Sequence, residues 1–504
     1  GLGDVYKRQV GYDGTFGRHV VSASAGILYN IYKTDFSQNG AAGKMVEYRH
    51  MTVNGAVNYA YDDRYVATFS FAADGSDNYR PGNRWGFYPS LGLGWIVSRE
   101  RFLRDSRTVD LLKLRASVGK NGWDPMGEMR YLWEGYYTGR GGLNTGNSEH
   151  TWHGGTALSY LPNPGIFAEK SLKYDAGIDL RLWNRLSLNV DLFLEKRSGI
   201  VTQDWMIPGA SGVDNPPYRN IGRMTNKGFE VQLSWADRIG DFNYALTGMA
   251  SYNSNKVDYM AEVVTVPTAA RTGRRLDALF GYVADGFYDW DDFDVGGELR
   301  EGLPKPTFGA VQPGDIKYKN LNGDTVIDEN DQTAIGDSYL PKLQYSFSLA
   351  ASYKGFDLFA LFQGAAGRDV NLLDAPLQNI AFRDNGNVYG IAEGRWAYYP
   401  EQGIDTRATA TYPRLSLQDN SNNYRNSTLW KRSGDFLKLR NVELGYTFAQ
   451  PSLSKAGISK IRIYLSGVNL LTVSKLMRDY DIDPEILSGH PALKSYNLGL
   501  TVTF

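Results

Sequence analysis

Ser495-Tyr496-Asn497-Leu498-Gly499-Leu500-Thr501-Val502-Thr503-Phe504 ends the chain, and its reading decides the fold. Side chains alternate faces along a strand. Tyr496, Leu498, Leu500, Val502 and Phe504 therefore share one face, and Ser495, Asn497, Gly499, Thr501 and Thr503 share the other. The result is a ribbon with one oily and one wet surface. The wet residues are small and uncharged, as suits the inner wall of a wide barrel. Segments of about ten residues that alternate in this way mark strands of an outer-membrane barrel. The last strand of a soluble sandwich would look the same, so the rest of the chain must discriminate.

Working back from the terminus, the same alternation recurs. Leu343, Tyr345, Phe347, Leu349, Ala351 and Tyr353 alternate with Gln344, Ser346, Ser348 and Ser352. Leu172, Tyr174, Ala176, Ile178, Leu180 and Leu182 alternate with Lys173, Asp175, Gly177, Asp179 and Arg181. Residues 436–448 and 461–471 are further strands, and between Leu439 and Val442 the apolar parity slips by one residue, which predicts a bulge near Asn441. The pattern, starting at residues 20–34, gives roughly fourteen strands of about 9–16 residues, longer than the ~5–6 usual in globular sheets. A membrane strand needs about 9–11. Links alternate between short (62–63, 183–185, 237–240, 354–355) and long (120–169, 203–223, 257–340, 368–433). Short periplasmic turns and long outer loops are how outer-membrane barrels are built. Charges recur on the second face of strand after strand, which a water-filled lumen accommodates.

Composition agrees. The 504 residues carry a net charge of -1, so nothing in bulk points to nucleic acid. The absence of cysteine excludes a disulfide framework and a Cys-based metal site. Aromatics reach 13%, with 34 Tyr and 11 Trp, as two interfacial girdles would require. Mean hydropathy is -0.40, and no apolar run is long enough for a spanning helix. Residues 1–9 (GLGDVYKRQ) resemble a translated sequencing adaptor and are set aside as a non-native leader. The expected body is then 10–504, the C-terminal part of something longer.

Candidate sites are sparse. Residues 320–331 have the spacing of a calcium loop: Asn320, Asn322, Asp324, Asp328 and Asp331 offer oxygen side chains at positions 1, 3, 5, 9 and 12, and Val326 a carbonyl at position 7. Asn at position 1, Thr325 in place of Gly and a short Asp at position 12 depart from the pattern, and a solvated acidic turn is the plain alternative. Calcium is the one cofactor the sequence suggests. His150 and His153 form a His-x-x-His in a Gly-rich loop with no carboxylate spaced to help. Asp291-Asp292 could mimic a glycosidase dyad, although solvated loop acids explain it as well. The loop aromatics Trp123, Trp133, Trp152, Tyr288, Trp290 and Tyr398 could stack on sugars, anchor a partner, or simply pack. No nucleophile, phosphate-loop or zincin motif occurs, so no catalytic residue and no enzyme is expected.

A family is then in view. The segments NYAYDDRY (58–65), DGS (74–76), NRWGFYPS (83–90), LKLRASVG (112–119), NIG (220–222), NKGFE (226–230), PGDIKY (313–318), NGD (322–324), ID (327–328), FLKLRNV (436–442) and SGVNL (466–470) run in order. Together they resemble the C-terminal barrel of SusC/RagA-like TonB-dependent transporters of Bacteroidetes. The resemblance implies an all-β, antiparallel transmembrane barrel in the outer membrane, of which about 14 of ~22 strands are here, with no N-terminal plug or TonB box. It also implies active uptake of an oligosaccharide or peptide cargo. Partners would be a SusD-like lipoprotein, TonB-ExbB-ExbD through the N-terminal part, outer-membrane lipid, and the barrel-assembly machinery, which reads a terminal strand ending in Phe. No nucleic acid is implied. A passive porin, or a soluble all-β carbohydrate-binding protein, is the competing reading.

Overall fold

The computed structural model describes residues 2–36, 44–124, 131–135, 137–146, 151–158, 160–208, 215–264, 266–374, 379–382, 386–417, 420–448 and 457–504. Fifteen antiparallel strands form one sheet in near-sequential order. They range from 9 to 22 residues in length. The chain divides into two units, 1–230 with 255–263, and 231–254 with 264–504.

In the first unit, Leu2–Phe16, His19–Phe36, Lys44–Tyr61, Tyr65–Ser76, Trp85–Ile96, Val109–Trp123, Glu169–Leu182 and Leu186–Gln203 pair in succession. The sequence reading began its strands at residue 20, and the structure adds one before that. Leu2–Phe16 pairs residue for residue from Leu2↔Lys33 to Phe16↔His19, so the segment set aside as a leader takes part in the sheet. Tyr218–Ile239 and Phe242–Tyr259 come next and each has residues in both units, and in the second unit the order continues with Leu343–Tyr353, Phe356–Ala366, Phe436–Phe448, Lys460–Ser474 and Ser495–Thr503. The expected bulge is present: the register shifts between Leu439 and Asn441 against one neighbour, and between Leu361 and Phe362 against the other. Arg440 is the extra residue against Phe356–Ala366, whereas against Lys460–Ser474 it faces two residues, Asn469 and Leu470, of that strand.

Because each strand reverses its neighbour, connections alternate between the two ends of the strands. In the first unit 17–18, 62–64 and 183–185 are short, and 77–84, 124–168 and 204–217 lie at the opposite end. In the second unit 354–355 is short, and 260–342, 367–435 and 475–494 lie opposite it. In the first unit one link on the short side is longer than expected. Residues 97–108 hold a 3-10 turn, Val97–Arg99, tied down where Glu100 accepts from Arg64, Tyr65 and Trp95. The loop at 124–168, which reads as irregular, contains a hairpin, Tyr137–Thr145 with Thr151–Leu158.

The core is not on the sheet. Val57, Phe69, Leu91, Leu93, Leu192, Leu246, Leu444 and Leu465 stand exposed on strand after strand. Exposed apolar side chains on successive strands within each unit need a non-aqueous cover. The largest buried cluster gathers Tyr282, Ile316, Tyr318, Ile327, Val370, Leu372, Tyr412, Trp430 and Leu476, nearly all from the long connections. Those loops therefore fold as a soluble domain folds, while the strands carry their apolar side chains outward.

The other face is ionic. Arg115, Gly177 and Asp191 lie in one row across three strands. Arg115 reaches Asp191 at 2.6 Å, Asp179 at 3.3 Å and Asp175 at 3.6 Å. A Cβ on Gly177 would meet the guanidinium carbon at 2.6 Å, so this glycine is what lets the arginine cross. Arg462 bridges Asp357 and Glu443 in the same manner. Each such half-exposed pair is worth about 0–1 kcal/mol. They fix register and keep the face wet more than they stabilise.

Candidate functional site

Chemistry concentrates in the long connections of the second unit. Their centre is Asp315, fully buried within the PGDIKY segment. Its Oδ1 accepts from Arg414 Nε at 2.7 Å, Asn420 Nδ2 at 3.0 Å and Asn423 Nδ2 at 2.9 Å, and its Oδ2 accepts from the backbone N–H of Gln312 at 2.8 Å. Around it, Ile316 N–H donates to Asn423 Oδ1, Tyr318 Oη donates to the carbonyl of Asn422, and Trp430 Nε1 donates to the carbonyl of Asn423. A carboxylate this buried is stable only when so paired and hydrogen-bonded. Asp315 thus ties two connections about a hundred residues apart into one body. The sequence segment was visible, but its partners lie too far along the chain for any spacing to reveal them.

A second joint fixes the last connection. Lys438, 1% exposed on its strand, donates to Asp483 at 2.8 Å and Glu485 at 2.7 Å, and Arg440, the bulge residue, also pairs with Glu485. Burial opposes ionisation of Asp483 and Glu485, but the hydrogen bonds from Lys438, and from Arg440 to Glu485, outweigh it and hold both carboxyls below their usual range. Sequence spacing gave no hint of this joint either.

The calcium-spaced loop closes on itself. Asn320 Oδ1 accepts from Gly323 N–H, Asn322 Oδ1 from Asp324 N–H, Asp324 Oδ1 from Val326 N–H and Asp328 Oδ1 from Asn330 N–H. Val326 itself begins the two-residue strand Val326–Ile327. Asp331 is fully buried, with Oδ1 taken by Leu321 N–H at 2.7 Å and Oδ2 by Asp328 N–H at 3.0 Å. Position 12 therefore spends both oxygens on the backbone. Among the described residues no group of three or more His, Asp or Glu side chains is arranged to hold a metal ion.

The loop aromatics divide. Tyr288 is core: it is 1% exposed among Phe293, Leu299 and Val311, and burial pushes its hydroxyl up to about 12, so it is closed to a ligand. Trp133 packs against Tyr79, Leu132, Tyr160 and Ile166. Trp123, Trp152 and Trp290 are exposed. Tyr398 lies under the Arg407 guanidinium at 3.8 Å, and Arg407 also reaches Asp289, beside Trp290. Hydrogen bonds from Arg407 hold the Asp405 carboxyl below its usual range. Asp292 accepts from Asp289 N–H as a turn cap and pairs with Lys317, so the Asp291-Asp292 acids are not arranged as a dyad. His153 contacts Thr145, and His150 lies outside the described residues.

On the terminal strand Tyr496, Leu498, Leu500 and Phe504 are strongly exposed and Val502 is half-buried. Ser495–Thr503 pairs with the preceding strand from Val468↔Ser495 to Lys460↔Thr503.

Comparison with known proteins agrees with this architecture. TonB-dependent receptor P26 of Formosa agariphila is 29% identical over 508 residues, covering 94% of this chain and 48% of that protein. TonB-dependent receptor SusC of Bacteroides thetaiotaomicron is 26% identical over 485 residues, covering 89% of this chain and 43% of that protein. The chain thus spans about half the length of the curated relatives it matches. The RagAB peptide importer in its open-open state shares the fold, with a TM-score of 0.74 at 21% identity over 100% of this chain and 54% of that one. The family described as TonB dependent receptor-like, beta-barrel matches residues 2–470, which takes in thirteen of the fifteen strands and most of the fourteenth, Lys460–Ser474. Its SusC and RagA relatives are outer-membrane barrels that act as receptors and transporters, not enzymes. The chain belongs to the TonB dependent receptor-like β-barrel family.

Proposed function

We propose that this chain supplies wall and outer loops to a SusC/RagA-type importer, which takes up an oligosaccharide or peptide across the outer membrane. In this reading a SusD-like surface lipoprotein sits over the long connections, and TonB with ExbB and ExbD supplies the energy. The observation that carries it is the family match over residues 2–470. Two features support it. The long connections share one end of the strands within each unit and have a core of their own, as a surface that receives a partner requires. The polar sheet face carries fixed ion pairs, as a wall facing hydrated cargo would.

The test is uptake in a strain with the gene deleted and then restored. Growth on the cognate glycan or peptide should fall on deletion, return on restoration, and vanish with a protonophore. A lipoprotein should co-purify from detergent extracts of the outer membrane. Uptake that survives the protonophore would instead identify a passive pore, and a protein that stays in solution without detergent would rule out the membrane reading.

A further inference from the structure

The polar face of the first unit holds a recess that none of the features above uses. It has a volume of about 560 Å³ and is lined by Ser24, His50, Thr52, Asn54, Asp74 and Tyr88, with Ser70, Ser90 and Asn121 among its other walls. That volume is within the ~300–1,000 Å³ of small-molecule sites. Tyr88 is laid flat on the sheet. A Cβ on Gly86 would meet the Tyr88 hydroxyl at 2.0 Å and one on Gly122 would meet the ring carbon that bears it at 2.0 Å, so two glycines clear the space the side chain occupies. Beside it Asp74 is oriented by two neighbours: His50 Nε2 is 2.8 Å from one oxygen, and Thr52 Oγ1 donates to the other at 2.5 Å. Ser70 and Ser90 share a hydrogen bond across the floor at 2.6 Å. The rim is rigid. Tyr48, Ser76, Asn78 and Tyr79 converge on Asp124, tying the strand ends and the following turn together.

We infer that this recess binds one unit of a neutral sugar. This rests on the importer reading and narrows its cargo. An aromatic platform takes the C–H face of a pyranose ring, while a fixed carboxylate and side-chain amides and hydroxyls meet its ring of hydroxyls, each of which both donates and accepts. Lys120 also lines the recess and offsets Asp74, so the lining favours neither an anion nor a cation. A peptide would find only a short backbone foothold, since the ladder between Trp85–Ile96 and Val109–Trp123 stops at Ser90↔Gly119 and the other lining strands are paired on both sides. A purely apolar ligand would leave the carboxylate and amides unsatisfied.

The experiment uses the full-length protein purified in detergent, with trisaccharides of glucose, galactose, mannose and xylose and the peptide trialanine as probes, read by calorimetry and saturation-transfer NMR. At least one trisaccharide should bind. Tyr88→Leu, which keeps apolar cover over the glycines but removes the aromatic face, should weaken it at least tenfold, and Tyr88→Phe less than threefold. Asp74→Asn, which keeps the side chain's volume, should also weaken it at least tenfold, and supplies the reading where Tyr88→Leu does not assemble. Trialanine should not compete. Binding unchanged in Tyr88→Leu and Asp74→Asn, or no trisaccharide bound by the unmodified protein, or equal competition by trialanine, overturns the inference. Protonophore-sensitive uptake that depends on the gene but is indifferent to both variants would sink the recess and leave the importer standing.

Discussion

Replacing Asp315 with alanine should release the outer connections of the second unit while leaving the sheet in place. The magnitude follows from what the carboxylate holds. Its removal strands the side-chain amides of Asn420 and Asn423 and the backbone N–H of Gln312, the first two in fully buried or nearly buried residues. Each stranded buried donor costs about 1–3 kcal/mol. Arg414 is a quarter exposed and can turn to water, so its share is smaller than that of a buried ion pair. The donors share one centre, so their costs do not add. A net loss of about 3–5 kcal/mol is expected, the value for breaking a buried pair. At about 1.4 kcal/mol per decade, local opening should become roughly a hundred- to several-thousandfold more frequent. Hydrogen exchange in detergent reads this directly, because the Ile316 amide is fully buried and bonded to Asn423. Residues 312–330 and 414–430 should exchange faster by that factor. The strands Leu343–Tyr353 and Phe436–Phe448 should exchange as before, since their ladders do not pass through Asp315. Asp315→Asn, which keeps one acceptor, should fall between. Unchanged exchange at Ile316 in Asp315→Ala would refute the claim that this carboxylate organises the loops.

Five further outcomes are expected. Leu500→Arg, on the exposed apolar face of the last strand, should cost roughly 2–4 kcal/mol if that position lies near the bilayer midplane, and deletion of Phe504 should lower outer-membrane levels, both measured by heat-modifiable mobility on gels. Lys438→Met should leave Asp483 without its buried partner and loosen residues 476–492 by about 3 kcal/mol, read as faster proteolysis there alone. The same segment should respond to acid in a defined direction: a carboxyl held low in the folded state stabilises above its unfolded value, about 3.9 for Asp and 4.3 for Glu, and that stabilisation is lost as pH falls through the lower folded value, so protection should persist from pH 8 to about 5, begin to weaken near the unfolded values and be lost only at more acid pH. Calcium and a chelator should give the same proteolysis pattern at 320–331, because Asp331 commits both oxygens to backbone N–H groups; calcium-dependent protection that Asp324→Ala removes would show instead that the loop rearranges around an ion.

The sheet was legible because a membrane strand states its orientation locally. Every second residue of 343–353 or 172–182 must suit hydrocarbon, whatever the distant chain does, so alternation alone places it. The first strand, Leu2–Phe16, lacks that clarity: its even positions run Asp4, Tyr6, Arg8, Val10, Tyr12, with charges among the apolar residues. The hairpin at 137–158 was hidden by its glycines, which carry no side chain to show a period. The outer loops were illegible for a different reason. Tyr282, Ile316, Val370, Tyr412 and Trp430 form one core, yet they are scattered over long stretches with no repeating period, and each joins the others only through tertiary contact.

The bulge shows how the two kinds of structure meet. Upstream and downstream of Arg440 the strand Phe436–Phe448 obeys the membrane pattern, but in opposite parity. A parity break is costly in a strand that must show one face to lipid, because a slip by one residue turns every side chain to the wrong side. An inserted residue confines that cost to one position and spares the rest of the strand. Here the inserted residue is used: Arg440 bonds Gln363 on one neighbouring strand and Asn469 on the other, and pairs with Glu485 of the last connection. Two residues earlier Lys438 holds Asp483 and the same Glu485. The irregularity thus sits where the sheet grips the outer chain. Deleting Arg440 should restore the register against Phe356–Ala366, widen the mismatch against Lys460–Ser474, where Asn469 and Leu470 already oppose one residue, and cost the grip. Leu437, Leu439, Val442 and Leu444 would then alternate without a break, so the strand should keep its apolar residues on one face, and residues 476–492 should lose protection from protease even where assembly succeeds. An Arg440 deletion that assembles normally and keeps that segment protected would mean that the bulge serves the sheet's curvature alone, and that Lys438 suffices to hold the connection.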